Sequence, residues 1–208
     1  FFSKREPYSK ENLKGDLENL ESFYKNRGFL KFNVDSSSVS LSEDKKNIFI
    51  TINISENNLF FNNEVTYAGD LPDSIPPQAI LEITKFIVPN NIFSQETLTY
   101  AEDQITTLMS NQGFSSAEVV ASTKDADKES FVDITIFIDP GQRTYVRKIN
   151  FSGNKRTHDV VLRREMRQME GSWASDILIE NSKRRLDRLG YFKEVEYETT
   201  PVPGESDK

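Results

Sequence analysis

The sequence predicts an α+β chain of tandem modules, each with two helices packed on one face of a three-stranded mixed sheet. Three observations support this fold class. A helical pattern that ends in a glycine and an aromatic residue occurs three times, with the glycines at Gly28, Gly113 and Gly190. An alternating segment follows each glycine, and a second one follows the first two across a polar turn. Because this order returns about every 80 residues, the sequence indicates a repeat architecture.

The helices are predicted from apolar residues at helical spacing. The first helix has an apolar face made of Leu13, Leu17, Leu20 and Tyr24. The corresponding face of the second copy consists of Leu98, Ala101, Ile105, Leu108 and Met109. Gly28 and Gly113 occupy the position at which a left-handed residue ends a helix. Two further helices are predicted around residues 77–87 and 159–169, the latter with one face made of Leu162, Met166 and Met169.

The strands are predicted from alternation of apolar and polar residues. The segments that follow the three glycines are 29–34, 114–121 and 191–197. Polar turns at 43–47 and 125–129 lead into second strands at 48–54 and 132–138, which predicts two β-hairpins. Segments 65–70 and 149–154 match each other at an offset of 84 residues and are predicted as the first strand of a repeat.

This unit order divides the chain into three predicted modules. Residues 1–57 form a partial module, 58–141 a complete one, and 142–208 one that lacks its last strand. Residues 201–208 are predicted to form a hairpin turn. The joints near 56–58 and 139–142 are short, which predicts an elongated arrangement with limited hinging.

Composition and charge exclude several classes of protein. The net charge of -7 divides into 0 for residues 1–57, -10 for 58–141 and +3 for 142–208, so the middle of the chain would repel nucleic acid. The absence of cysteine excludes disulfides, thiolate zinc sites and thiol nucleophiles. The apolar runs are too short for a membrane-spanning helix.

No motif in the sequence predicts catalysis, a cofactor or a metal. The single histidine, His158, is predicted to face solvent or cap a helix, since a triad requires a nucleophile and a carboxylate to converge on it. Segment 125–129 lacks the glycine and the closing glutamate of a calcium loop. Segment 153–155 lacks the second glycine of a phosphate-binding loop. We therefore expect a binding protein that is not an enzyme.

Four segments carry a resemblance to a known family. Residues 15–28, 39–41, 145–149 and above all 161–171 resemble polypeptide-transport-associated (POTRA) domains. The resemblance implies the third (partial), fourth and fifth of five modules that precede an outer-membrane β-barrel. It also implies a location in the periplasm of a Gram-negative bacterium, tethered to the outer membrane. The implied function is a scaffold that binds unfolded outer-membrane protein precursors and accessory lipoproteins.

Two binding surfaces are predicted. The first is an open sheet edge that would accept a client strand, made of Phe29, Leu30, Lys31, Phe32, Asn33 and Val34. The alternative for this edge is one blunted by Lys31 and Asp35. The second surface would dock an accessory lipoprotein around a buried apolar face, through Arg163, Arg164, Arg167 and Glu170. A salt-bridged helix surface is the alternative there, and Trp173 is predicted to cover the core.

Three other functions remain open from the sequence. The chain would also suit another transporter of the same wider family, such as one of the two-partner secretion type. An extracytoplasmic enzyme or ligand-binding domain would need a pocket with convergent polar groups, and the sequence contains no such set. The third possibility is a purely structural spacer in the periplasm.

Overall fold

The computed structural model describes residues 10–43 and 47–202, with Lys10 described by its backbone alone. Most of the predicted turns at 43–47 and 201–208 lies outside the described residues. The chain divides into two compact units. One unit contains the described residues of 1–66, 85–100 and 121–135, and the other contains those of 67–84, 101–120 and 136–208.

The first part of the chain is a helix followed by a β-hairpin. Helix α1 spans Lys10–Lys25, strand β1 spans Asn33–Leu41 and strand β2 spans Ile48–Ser55. The two strands pair antiparallel, with Leu41 opposite Ile48. The predicted helix and second strand are confirmed.

A glycine ends α1 as predicted. Gly28 has a φ of 93°, in the left-handed region that L side chains rarely adopt. Its N–H donates to the carbonyl of Lys25 at 3.4 Å, and the N–H of Phe29 donates to the carbonyl of Tyr24 at 3.1 Å. These two bonds form a Schellman motif, which satisfies the last carbonyls of the helix.

The predicted strand at 29–34 is wrong for its first four residues. The N–H of Phe32 donates to the carbonyl of Phe29 at 3.0 Å, which closes a turn and delays β1 until Asn33. The buried Phe32 ring stacks on Tyr24 with centroids 4.2 Å apart. The second copy repeats this turn with a bond of 3.1 Å between Ala117 and Phe114, so its strand also starts late.

The middle of the chain contains the complete predicted unit. Its elements are β3 (Phe61–Gly69), α2 (Pro77–Thr84), α3 (Gln95–Asn111), β4 (Glu118–Asp125) and β5 (Phe131–Asp139). The sheet order is β3-β5-β4, so β5 is central. β4 and β5 form the predicted hairpin, whereas β3 runs parallel to β5, because contacts advance together along both strands from Asn63 with Asp133 to Thr66 with Thr135. The predicted fold class, a mixed sheet with two helices on one face, is confirmed.

The buried residues of β5 and α3 follow two different periodicities. Alternate residues of β5 are buried: Val132, Ile134, Ile136 and Ile138. On α3 the buried residues recur every three or four positions: Leu98, Ala101, Ile105 and Met109. Strand and helix thus each bury one apolar face, with the spacing that belongs to that type of element.

The last part of the chain has two helices, α4 (Asp159–Glu165) and α5 (Asp176–Arg188). The predicted helix at 159–169 is therefore too long. Met166 is extended, with φ -64° and ψ 139°, and the N–H groups of Arg167 and Gln168 donate to the buried Ser182 hydroxyl at 2.8 and 3.1 Å. Leu162 is buried as predicted, but Met169 is 55% exposed, because the helix ends before it.

The strands predicted at 149–154 and 191–197 are absent from the structure. Both segments are described, and neither contains a strand. In the predicted module 58–141, the corresponding strands pair with the central β5. The described residues of the predicted module 142–208 contain no central strand. Backbone donors and acceptors of a lone segment gain no ladder partner, so alternation alone does not produce a strand.

Candidate binding surfaces

Strand β1 has one open edge. β2 lies on one side of it, and no described strand lies on the other. The N–H of Ser42 donates to the carbonyl of Asn47 at 2.9 Å, which fixes the phase of the ladder. Hydrogen-bonded pairs alternate along antiparallel strands, so the backbone groups of Ser37, Val39 and Leu41 point away from β2.

A β-bulge interrupts this edge near its start. The register shifts between Val34 and Ser36, which leaves Asp35 as the extra residue. The Asp35 carboxylate accepts hydrogen bonds from Ser55 Oγ at 2.6 Å and Asn33 Nδ2 at 2.9 Å. These two bonds, that from Ser55 above all, lower the pKa of Asp35 below its ordinary value.

The structure therefore brings only part of the predicted edge into a strand. Asn33 and Val34 belong to β1, ahead of the bulge, whereas Phe29, Leu30, Lys31 and Phe32 lie in the preceding turn. Lys31 forms an ion pair with Asp125 at 2.5 Å. The regular edge consists of residues 36–41, which the alternation in the sequence did not reveal.

Two of the four predicted docking residues bind each other. Arg163 Nη1 lies 3.1 Å from Glu170 Oε1. Both also bind the backbone of Ile149: the Arg163 guanidinium donates to its carbonyl at 2.9 Å, and its N–H donates to Glu170 at 2.8 Å. The Ile149 N–H, and then Arg163, lower the pKa of Glu170. This three-residue clamp ties residue 149 to α4.

The other two predicted docking residues, Arg164 and Arg167, are exposed. Arg167 also lines a cavity of about 300 Å³ beside α5. The cavity is lined by Arg167, Leu178, Asn181, Arg184, Arg185 and Arg188. Arg185 is paired with Glu165 at 2.6 Å, and Arg184 donates to Asn181 at 2.6 Å. Sequence reasoning missed this basic cleft, although the arginines of α5 lie at i, i+1 and i+4, the spacing of one helix face.

The remaining sequence candidates have modest roles. His158 occupies the N-cap position of α4, where it is exposed and its side chain makes no capping hydrogen bond. Trp173 is 40% exposed, so the prediction that it covers the core is wrong. The Arg143 guanidinium lies 4.4 Å from the centre of its ring, which covers one face of the indole with a cation.

Residues 10–43 and 47–202 contain neither a metal-binding cluster nor a membrane-spanning helix. Nowhere in that part do three or more acidic, histidine or cysteine side chains come together as a metal site. None of its helices has the length and apolarity needed to cross a bilayer.

These features define a class of protein: a chain of small α+β modules that presents an open strand edge and a charged helix surface. The family model described as "POTRA: Surface antigen variable number repeat" matches residues 2–57, 62–141 and 144–208. The chain belongs to the POTRA family, and the resemblance expected from the sequence is confirmed.

Curated relatives are larger assembly factors. The chain is 28% identical over 208 residues to the outer membrane protein assembly factor BamA of Neisseria meningitidis serogroup B, covering 100% of the chain and 26% of that protein. It is 32% identical over 188 residues to BamA of Buchnera aphidicola subsp. Acyrthosiphon pisum, covering 90% of the chain and 30% of that protein. The chain thus spans between about a quarter and a third of the length of these relatives. Their names indicate no catalytic activity.

Solved structures agree with this relationship. The crystal structure of BamA POTRA3-5 from Haemophilus influenzae matches with a TM-score of 0.77 and 28% identity, covering 100% of the chain and 80% of that chain. BamA from Haemophilus ducreyi lacking POTRA domains 1-3 matches with a TM-score of 0.61 and 32% identity, covering 71% of the chain and 27% of that chain. POTRA domains of BamA are periplasmic and tethered to the outer membrane. The location predicted from the sequence is thus confirmed.

Proposed function

We propose that the chain is the periplasmic scaffold of an outer-membrane β-barrel assembly machinery. It receives unfolded outer-membrane protein precursors by strand addition and docks accessory lipoproteins. Its modules are residues 1–57, 58–141 and 142–208. The observation that carries the proposal is the open edge of β1, in a chain related to assembly factors along its whole length.

Strand addition suits a factor that handles many clients. Ser37, Val39 and Leu41 offer N–H and C=O groups that β2 does not use. Main-chain pairing depends little on client sequence. The side chains of Val39 and Leu41 are 53% and 61% exposed, so they add apolar contact for a client with alternating apolar residues.

Removing one outward donor tests this step. Ser37→Pro deletes an N–H that points away from β2 while the hairpin keeps its own bonds, since proline is tolerated on edge strands. We expect binding of a labelled β-strand peptide to the full chain to weaken by about tenfold, measured by NMR shifts or fluorescence anisotropy.

The matched control is Ser37→Ala, which keeps the donor and should bind as the parent chain does. Equal binding by Ser37→Pro, with the hairpin intact by NMR, would refute strand addition at this edge. No shifts along residues 36–41 in the parent chain would instead favour a structural spacer.

In this proposal, the exposed side chains of Arg164 and Arg167 bind the accessory lipoprotein. Arg164 and Arg167 are exposed on the end of α4 and the segment after it, and Arg167 also reaches the basic cleft. Guanidinium groups recognise carboxylates through paired hydrogen bonds, so an acidic surface on the lipoprotein is the complementary partner. Arg163 and Glu170 contribute by holding α4 in place through Ile149.

Charge reversal separates docking from stability. Arg164→Glu combined with Arg167→Glu should weaken the complex with the lipoprotein by tenfold or more, mostly at low salt, while the melting temperature stays within about 2 °C of the parent value. Isothermal titration and thermal unfolding measure the two effects.

Arg163→Glu should instead lower the melting temperature, because it opposes Glu170 at the clamp. Adding Glu170→Arg restores an ion pair but neither bond to Ile149, so it should recover only part of the loss. A double reversal at Arg164 and Arg167 with unchanged affinity would exclude this surface.

A further inference from the structure

We infer that Asn26 and Asn111 dock each POTRA repeat onto the next by capping, with their side chains, the second helix of the repeat that follows. The partner of this surface is the next repeat of the same chain. The inference does not depend on the proposed function. We use the word joint for each asparagine together with the helix that it caps. The two joints have the same geometry, and each lies wholly within one of the two compact units.

The joint at Asn111 replaces a missing local cap. α5 begins at Asp176, and its own N-cap residue, Ser175, makes no side-chain capping bond. Asn111 Oδ1 instead accepts a hydrogen bond from the N–H of Ile177 at 3.0 Å. That N–H is the second of the helix, one of the donors that an N-cap oxygen normally satisfies. A residue 66 positions earlier therefore performs the cap.

The joint at Asn26 repeats this bond. α3 begins at Gln95, and the N–H of Glu96, again the second residue of the helix, donates to Asn26 Oδ1 at 2.8 Å. Each asparagine stands two residues before the left-handed glycine that ends the preceding helix, Gly28 or Gly113. The two asparagines are 85 residues apart, as are the two glycines.

A second set of bonds accompanies each cap. The Gly28 carbonyl accepts from Phe60 N at 2.8 Å, and the Phe60 carbonyl accepts from Phe93 N at 3.0 Å. In the other joint, the corresponding bonds run from Thr144 N to Gly113 at 2.7 Å and from Ala174 N to Thr144 at 2.9 Å.

The glycines permit this approach. A Cβ on Gly28 would lie 2.7 Å from side-chain atoms of Ile92 and Leu59, and one on Gly113 would lie 2.7 Å from Trp173 Cβ. Each glycine is thus needed both for its positive φ and for the closeness of the next repeat.

The third copy has a different residue at this position. Two residues before Gly190 stands Arg188, whose guanidinium has donors only and so cannot accept from a helix N–H. In this chain, asparagine followed by any residue and glycine therefore accompanies both capped joints, and Arg188 cannot form the same bond.

Three variants of the full chain test the inference: Asn111→Ala, Asn111→Asp and Gln112→Ala. Removing the acceptor should speed hydrogen exchange at the Ile177 amide by about fivefold, the size of a lost N-cap. Asn111→Asp keeps the acceptor next to the positive end of the α5 dipole, so it should match or slow the parent exchange. Gln112→Ala alters the neighbouring side chain and should change nothing.

A distance measurement tests orientation directly. The chain has no cysteine, so Thr107→Cys and Asp187→Cys provide a unique pair of spin-label sites on α3 and α5. Both residues are exposed. We expect the distance distribution to broaden in Asn111→Ala and to stay narrow in the aspartate and Gln112 variants. Parent-like exchange and width in Asn111→Ala would overturn the inference, as would equal loosening in Asn111→Asp, because that variant keeps the cap.

Discussion

The middle and last parts of the chain share one sequence pattern but are held together differently. In the middle, β5 lies between two strands and buries four aliphatic side chains. In residues 142–202, the structure contains no strand, and buried polar side chains connect α4 and α5 instead. Gln168 accepts from Ser175 N at 3.0 Å and donates to the Trp173 carbonyl at 2.9 Å, while Ser182 binds the backbone after α4. A repeat pattern therefore specifies its sheet only when a central strand is present to pair with.

The largest expected effect is a cavity in the middle sheet. Ile136→Ala should destabilise its region by about 3 kcal/mol, because the side chain is fully buried in the central strand. Val195→Ala, in a segment that forms no strand, should cost less than about 1 kcal/mol. Hydrogen exchange resolved by residue measures both. Equal losses would mean that the last part relies on apolar packing as much as the middle does.

An intermediate effect is expected from the polar network of the last part. Ser182→Ala leaves the N–H groups of Arg167 and Gln168 without their acceptor and should cost about 2 kcal/mol. Exchange should increase between α4 and α5. Ser152→Ala, at an exposed serine of the same part, is the control. An unchanged exchange pattern in Ser182→Ala would assign the stability of this part to something other than the network.

The smallest effect is a pH dependence at the clamp of Arg163, Glu170 and Ile149. The pKa of Glu170 is lowered in the folded chain, so its contribution is complete above the ordinary glutamate pKa of about 4.3 and is lost as pH falls through its own lower value. The stability difference between the parent chain and Glu170→Gln should therefore be constant near neutral pH and shrink below about pH 4.5. Urea unfolding at several pH values measures it, and a difference that grows on acidification would contradict this assignment.

Local signals in the sequence predicted most helices and both hairpins. The apolar face of α1 and the left-handed Gly28 depend on neighbours within a few residues, and so does the alternation of β5. The early turn at Phe29 escaped detection because aromatic residues favour strands, while the Schellman bonds and the stack on Tyr24 decide the backbone there. These bonds depend on how α1 ends, and the residues after Gly28 do not reveal this by themselves.

Features that depend on distant residues could not be predicted. α4 ends early because Ser182, on another helix, takes the next two N–H groups. For the proposed docking surface, the sequence suggested four residues but did not predict that Arg163 and Glu170 bind each other and the backbone of Ile149. The basic cleft needed Arg167 and α5 to come together, although the spacing of the α5 arginines was visible.

If clients bind by the proposed strand addition, the bulge at Asp35 limits the affinity of that binding. It shortens the regular edge to residues 36–41, where three residues face outward. An added strand would gain about six backbone hydrogen bonds, each worth about 1 kcal/mol net, and would lose part of this through its own ordering. Affinities in the micromolar to millimolar range would follow, with residence times between about 0.1 ms and about 10 s. At such affinities, a strand added to this edge would dissociate without any input of energy.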